Sequence, residues 1–181
     1  MNFDMNHKET NRLKEKLEAA QNTFYQEQGG KSWFQKDKQK INCALAITQS
    51  IPLNDLLEKT FSIIENTNKV MIDYPLFKTF ANPKNYNEII KYILTLFTQS
   101  IDTYGSFEVH VNLKSFTITA AQRYRDMICQ FCRECLDNDT RFTTTMTSFT
   151  IYNCPKMFDS ISALFSGFID DQIRSKIRIV Q

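Results

Sequence analysis

The sequence predicts an α/β fold in which a mostly parallel sheet carries helices mainly on one face, with a short helical region at the N-terminus. Two observations lead to this prediction. Four short segments alternate apolar and polar residues with a period of two, which is typical of strands. Longer segments between them repeat apolar residues at helical spacing, and strands that alternate with helices indicate a layered α/β architecture.

Length and composition restrict the class of protein. The chain has 181 residues, of which 42% are hydrophobic and 23% charged, which fits one globular domain with a sizeable core. Its net charge of +2 is too small to indicate a nucleic-acid partner. The sequence has no signal-peptide core and no apolar run of about 18–20 residues, so we expect a cytoplasmic protein. Five cysteines without disulfide-framework spacing fit a reducing compartment.

Residues 1–66 are predicted to form the N-terminal helical region. A first helix over residues 8–28 has a narrow apolar stripe and ends at Gly29-Gly30. The members of that stripe are Leu13, Leu17, Ala20 and Phe24. Residues 36–65 carry two further helical patterns. The second of these starts near Pro52 and uses Leu56, Leu57, Phe61 and Ile64.

Residues 67–181 are predicted to form the α/β core. The first strand covers residues 69–74, and a helix over residues 84–104 follows it. Gly105 closes this helix, because glycine readily adopts the left-handed conformation found after helix ends. The second strand covers residues 107–113, and the next helix covers residues 119–137.

The last third of the core begins with a third strand over residues 145–152. Pro155 ends this strand, because proline lacks an N–H group, yet proline is tolerated in the first turn of a helix. A helix over residues 156–169 then presents an apolar stripe that must cover an apolar surface. The stripe includes Phe158, Ile161, Phe165 and Phe168. The fourth strand covers residues 176–180.

The order of these motifs resembles a known family. Ile151-Tyr152-Asn153-Cys154-Pro155, an amphipathic helix, Phe168-Ile169-Asp170 and Ser175-Lys176-Ile177 follow one another as in the C-terminal half of CRAL-TRIO lipid-binding domains, the family of phosphatidylinositol and retinal transfer proteins. The strand ending at Ser115 also resembles the family strand that ends in Asp-Leu-x-Gly, with Asn112 in place of Asp and Ser115 in place of Gly. The resemblance covers roughly residues 69–180 and implies a minimal or divergent member.

The resemblance implies a function without catalysis, metal or cofactor. The chain is expected to bind, and to exchange at a membrane surface, a lipid or another hydrophobic small molecule. The helix over residues 156–169 corresponds to the lid of the family and would cover the pocket. In phosphatidylinositol-binding relatives, the lysine at the Lys176 position binds the headgroup phosphate. The glutamate that accompanies it there has no counterpart in Phe142-Thr143-Thr144.

The alternation along the strands predicts the floor of this pocket. Apolar residues share one face, which the helices are expected to cover. The other face collects the predicted ligand-binding residues, which are Glu108, His110, Ser148, Thr150, Tyr152, Lys176 and Arg178. A register slip of one residue would exchange the two faces. Because this floor is polar, three outcomes stay open: a small or polar ligand, a cavity closed by salt bridges among Glu108, Lys176 and Arg178, or a face that docks a partner.

The candidates for chemistry have simpler explanations. Cys129-x-x-Cys132-x-x-Cys135 has a spacing found at iron–sulfur and zinc sites, but a continuous helix would spread the three thiols around its circumference. We therefore expect structural cysteines and no metal site. His110 lies near Glu108 and has the chemistry of a general base, yet no nucleophile motif accompanies it. We therefore expect no enzyme activity.

Two other function classes remain open from the sequence. Some relatives use the same fold as a protein-interaction module without lipid, and this chain would then bind a protein partner or self-associate through the open sheet face or its last strand. The fold is also similar to that of anti-sigma-factor antagonists, which carry a phosphorylatable serine at a helix start. Ser115 and Ser160 are the candidates for that serine.

Overall fold

The structure, a computed structural model, describes residues 2–31, 35–137, 140–156, 163, 167 and 171–180, with side chains from residue 12 onward except at residues 136, 137 and 140. The chain packs into two compact units. The first comprises residues 1–59 and 76–82, and the second comprises residues 60–75 and 83–181. The predicted domain boundary between residues 66 and 67 stays a prediction, because compact packing alone does not define a domain.

The first unit is built mainly from helices at the N-terminus. These are α1 (Asn2–Glu27), α2 (Lys36–Ser50) and α3 (Leu53–Thr60), whose last residue belongs to the second unit. α1 packs on α2, and the buried residues of the two helices include Leu13, Leu17, Cys43 and Ile47. The predicted helix over residues 8–28 is confirmed, with the buried positions of its stripe at Leu13 and Leu17.

The second unit contains the sheet. Five strands are found in the described part of the chain: β1 (Phe61–Ile63), β2 (Lys69–Asp73), β3 (Phe107–Asn112), β4 (Met146–Tyr152) and β5 (Ile177–Val180). They lie side by side in chain order. β1 is antiparallel to β2, and every other neighbouring pair is parallel. The predicted α/β fold with a mostly parallel sheet is confirmed.

β1 corrects the sequence prediction, which placed Phe61 and Ile64 in a helix. α3 ends at Thr60 and the chain turns back as a hairpin, with the Ile64 amide donating to the Lys69 carbonyl at 2.9 Å. Asn66 takes the left-handed conformation, with φ of 59°, that the turn requires. Phe61 pairs with Ile72 and is buried, so burial against β2 outweighs the helical spacing.

Several of the remaining helices begin or end at residues other than those predicted. They are α4 (Tyr74–Phe80), α5 (Tyr86–Tyr104), α6 (Ile118–Arg123), α7 (Arg125–Cys132), a π-helix (Arg133–Asp137), α8 (Thr140–Thr145) and α9 (Asp171–Arg174). α5 is confirmed and ends at Gly105, whose φ is 74°. The single helix predicted over residues 119–137 is wrong, because Tyr124 leaves helical geometry with ψ of 12°. α4 and α8 were not predicted.

Aromatic side chains join α5 to the apolar face of the sheet. The Phe97 ring stacks on the Phe107 ring of β3 at 4.4 Å between centroids, and Tyr92 approaches Phe61 of β1 at 6.3 Å. The buried Ser100 hydroxyl lies 3.2 Å from the Asn68 carbonyl oxygen, to which it donates, and the Ser106 carbonyl oxygen lies at 3.3 Å. α5 therefore covers the apolar face of the sheet and does not cover the opposite, polar face.

Ser115 is expected to store backbone strain in the loop after β3. Its φ is 65°, in the left-handed region where a Cβ atom costs roughly 1–2 kcal/mol and glycine pays no such cost. Glycine also increases the conformational entropy of the unfolded chain, which offsets part of this gain. Ser115→Gly should therefore raise the free energy of unfolding by about 0.5–1 kcal/mol in urea denaturation. Ser175→Gly, at an exposed serine outside that conformation, is the control and should lower it. If Ser115→Gly instead lowers the free energy of unfolding, the side-chain contacts of Ser115 stabilise the fold by more than its backbone strain costs.

Candidate functional site

The strand register places the predicted ligand-binding residues together. Glu108 pairs with Ser148, His110 with Thr150, and Asn112 with Tyr152 across β3 and β4. Thr150 in turn pairs with Arg178 of β5. Partners in a parallel pair share a face, and residues two apart on a strand do as well. These residues therefore share one face of the sheet, while their role in binding stays a prediction.

His110 is at the centre of this polar face. Its Nε2 atom lies 3.1 Å from Glu108 Oε2, and its Nδ1 atom lies 2.9 Å from Tyr152 Oη. The His110 and Tyr152 rings are nearly parallel, at 19° and 5.8 Å between centroids. A carboxylate only accepts hydrogen bonds, so a neutral imidazole must donate from Nε2 and accept the tyrosine proton at Nδ1. Both ring nitrogens are thus occupied by protein partners.

Ser148 and Thr150 place two hydroxyl groups beside this network. Ser148 is 5% exposed and Thr150 is 7% exposed. Neither hydroxyl makes a hydrogen bond with any residue that the structure describes, although Ser148 pairs with Glu108 and Thr150 with His110 in the register. The Ser148 and Thr150 hydroxyl groups therefore add to the polar character of the face beside His110.

Lys176 is held by a different element. Its Nζ atom donates to the backbone oxygen of Thr143 at 2.6 Å. Thr143 lies in the last turn of α8, where carbonyl groups have no partner within the helix and favour a nearby cation. The salt bridges among Glu108, Lys176 and Arg178, one of the three outcomes left open by the sequence, are not found among the described residues; Glu108 contacts His110, and Arg178 is exposed.

A second polar network at the same edge was missed. Asn112 Nδ2 donates to Asp73 Oδ1 at 2.7 Å, and Asn153 Nδ2 donates to Asn112 Oδ1 at 2.9 Å. Asp73 and Asn112 are register partners at the carboxyl ends of β2 and β3. The alternation of polar residues could have placed Asp73 and Asn112 on the same face of the sheet. Their contact, however, depends on the register of β2 against β3, which the sequence does not reveal.

The predicted lid falls largely outside the described residues. Of residues 156–169, the structure describes Lys156, Ala163 and Gly167. The lid residues Phe158, Ile161, Phe165 and Phe168 lie outside them. The helix and its covering role therefore stay predictions from the sequence.

The cysteines have structural surroundings. Among the residues described, no group of three or more His, Cys, Asp or Glu side chains is placed to hold a metal ion. Cys129 packs with Ala121 and Phe116 in an apolar cluster, and Cys135 is buried. Burial raises the pKa of the Cys43 thiol. No described helix combines the length and apolar character needed to cross a membrane.

An open groove of about 830 Å³ lies along α5 and is also lined by Gln130 of α7 and Glu134 of the π-helix. Gln130 Nε2 donates to Asn87 Oδ1 at 2.6 Å beside it. Its lining mixes Ile90 and Leu94 with Lys91, Asp102 and Glu134. It includes none of the predicted ligand-binding residues, so it does not coincide with the candidate site.

Comparison with known proteins assigns the family. No curated protein matches the chain. Among solved structures, the crystal structure of Sfh5 superposes with a TM-score of 0.53 and 13% identity, a likeness that shows the fold alone. The match covers 80% of this chain and 57% of that chain, so the chain spans little more than half the length of this relative. A family model described as the CRAL/TRIO domain matches residues 76–181, a range that includes β3, β4 and β5. The chain therefore belongs to the CRAL/TRIO domain family.

Proposed function

We propose that this chain binds a lipid or another hydrophobic small molecule, noncovalently, in its CRAL/TRIO domain. The observation that carries the proposal is the family match over residues 76–181, since this family is one of lipid-binding domains. The sheet supports it, because α5 covers the apolar face, so that a ligand would bind on the opposite, polar face of β3 and β4. The polar face of β3 and β4 is accordingly the proposed floor of the binding site.

The proposal extends to transfer. The helix predicted over residues 156–169 would cover the bound molecule with its apolar stripe and open during transient contact with a membrane surface, in the cytoplasm. The role is one of binding without catalysis. The sequence supports this part, because no nucleophile motif accompanies His110.

Native mass spectrometry tests the proposal directly. The protein is purified from a eukaryotic host, its mass is measured under gentle conditions, and copurifying molecules are extracted with organic solvent and identified. We expect a bound hydrophobic molecule in a one-to-one ratio with the chain. A mass equal to that of the bare chain, unchanged after incubation with mixed liposomes, would contradict lipid binding.

A protein-interaction module is the second candidate. Ile179 is 48% exposed and Val180 is 43% exposed on β5, which lies at one edge of the sheet in the described part of the chain. Exposed apolar residues on an edge strand favour pairing with another chain. If the liposome experiment leaves the bare mass unchanged, this candidate takes precedence, and self-association or partner capture becomes the next measurement.

A further inference from the structure

The groove along α5 carries two opposite charges, one near the start of the helix and one near its end. Lys91 and Asp102 both line the groove and are exposed. Neither forms an ion pair with any residue that the structure describes. Glu134, the other charged residue of the lining, already interacts within the chain. Lys91 and Asp102 lie about three helical turns apart, or about 16 Å along the axis, so they are too distant to pair with each other.

The residues from one charge to the other follow a spacing that reads the same in both directions. Spacings of four, three and four residues separate the members of this α5 face, which are Lys91, Thr95, Thr98 and Asp102. Residues three or four apart share one face of a helix. If two copies of the face meet antiparallel across a two-fold axis, Lys91 lies opposite Asp102 of the partner subunit at both ends. Thr95 and Thr98 lie opposite each other near the axis. The α5 face is therefore complementary in charge to a second copy of itself.

The middle of the α5 face suits the approach of a second helix. Thr95 and Thr98 have short side chains, which fit the separation of about 8–10 Å between the axes of packed helices. Ile90 and Leu94 line the groove beside them and add apolar surface. Exposed ion pairs contribute little affinity, but opposite charges favour one arrangement of two partners and like charges exclude another. We therefore expect a weak dimer whose arrangement is selected by Lys91 and Asp102.

We propose that the α5 face is a contact between two copies of this chain, packed antiparallel around a two-fold axis, with Lys91 paired to Asp102 of the partner subunit at both ends. This inference goes beyond the proposed function, because the groove includes none of the predicted ligand-binding residues. It also differs from association through the edge of β5, which contributes no residue to the groove.

Charge reversal at either end of the face tests the contact. Sedimentation velocity of the full chain over a range of concentrations measures the dissociation constant of the dimer. Lys91→Glu places two carboxylates opposite each other at both ends, and Asp102→Lys places two ammonium groups there. Because like charges repel, each variant should weaken dimerisation by about tenfold or more. Circular dichroism establishes that each variant is folded.

An equimolar mixture of the two variants gives the sharper result. In a dimer with one copy of Lys91→Glu and one of Asp102→Lys, both ends again carry opposite charges, because the two reversals compensate. We expect the mixture to dimerise about as well as the parent chain, although each variant alone does not. Native mass spectrometry identifies the mixed dimer, since the two variants differ in mass. Glu88→Lys is the matched control, because Glu88 is exposed on α5 outside the groove lining, and it should leave dimerisation unchanged.

Three outcomes would overturn the inference, and each leaves ligand binding untouched. A parent chain that stays monomeric at every concentration up to about 1 mM excludes self-association at useful affinity. A dimer that persists in both Lys91→Glu and Asp102→Lys uses another surface, such as the edge of β5. Loss of the dimer in both variants without a mixed dimer in their mixture would show that these two residues do not face each other.

Discussion

Phe107→Ala is expected to lower the free energy of unfolding by about 3–5 kcal/mol, the usual cost of truncating a phenylalanine in a well-packed core. Phe107 is 1% exposed at the start of β3. Its ring stacks on Phe97 of α5 at 4.4 Å and meets Phe142 of α8 edge-on at 6.3 Å between centroids. Phe97 and Phe142 also meet each other at 5.9 Å, so removing one ring opens a cavity among three elements. Urea denaturation followed by circular dichroism measures the loss.

Two control variants show whether packing accounts for this loss. Phe107→Leu keeps most of the volume and should cost about 1.5 kcal/mol or less. Tyr104→Ala removes an aromatic ring from an exposed position on the same helix as Phe97 and should have little effect. If Phe107→Ala costs no more than Phe107→Leu, the aromatic cluster does not anchor α5 to the sheet as inferred.

Stability is expected to fall steeply at alkaline pH because of Tyr86. The Tyr86 hydroxyl is buried and has no hydrogen-bond partner among the described residues. Burial, followed by the proximity of Tyr124 and Asp126, raises its pKa from 10.0 to about 12. The folded state therefore holds this proton more tightly than the unfolded state. Its contribution is complete below about pH 10 and is lost as pH rises through 12, by roughly 2–3 kcal/mol in total.

Tyr86→Phe isolates this contribution. The variant should show a smaller loss of stability between pH 10 and 12, by about 1.4 kcal/mol per pH unit within that window. At pH 7 it should equal the parent chain or exceed it by about 1 kcal/mol, because an unpaired buried hydroxyl is removed. Urea denaturation at a series of pH values measures both effects. Tyr104→Phe, at an exposed tyrosine, is the control. An unchanged alkaline slope in Tyr86→Phe would contradict the assignment.

The sequence predicted those elements whose pattern is long enough to be distinctive. α5 has 19 residues with a regular apolar stripe and ends at a glycine, so its bounds were nearly right. β1 has three residues, too few for a period of two to be distinguished from the end of a helix. The break at Tyr124 was missed because the apolar spacing continues through it. Tyr124 meets Tyr74 at 6.4 Å between centroids, a tertiary contact that the helical pattern does not encode.

In the candidate site, too, some features could be predicted from the sequence pattern and others could not. The shared face of Glu108, His110 and Thr150 follows from alternation, so the sequence was sufficient to group them. The bond between His110 and Tyr152 depends on the register of β3 against β4, which alternation leaves free. Lys176 was placed on this face as a headgroup ligand, yet its partner is a backbone carbonyl, a group that every residue type carries and no side-chain pattern identifies.

The bond from Lys176 to Thr143 has a consequence for how this chain can diverge. Because the acceptor is a main-chain oxygen, substitution at position 143 leaves the acceptor in place as long as the path of α8 is kept, whereas substitution of Lys176 removes the donor at once. This contact therefore tolerates substitution of Thr143 better than substitution of Lys176. The main chain alone therefore satisfies the lysine, and no carboxylate side chain is needed at this place in the fold to hold it.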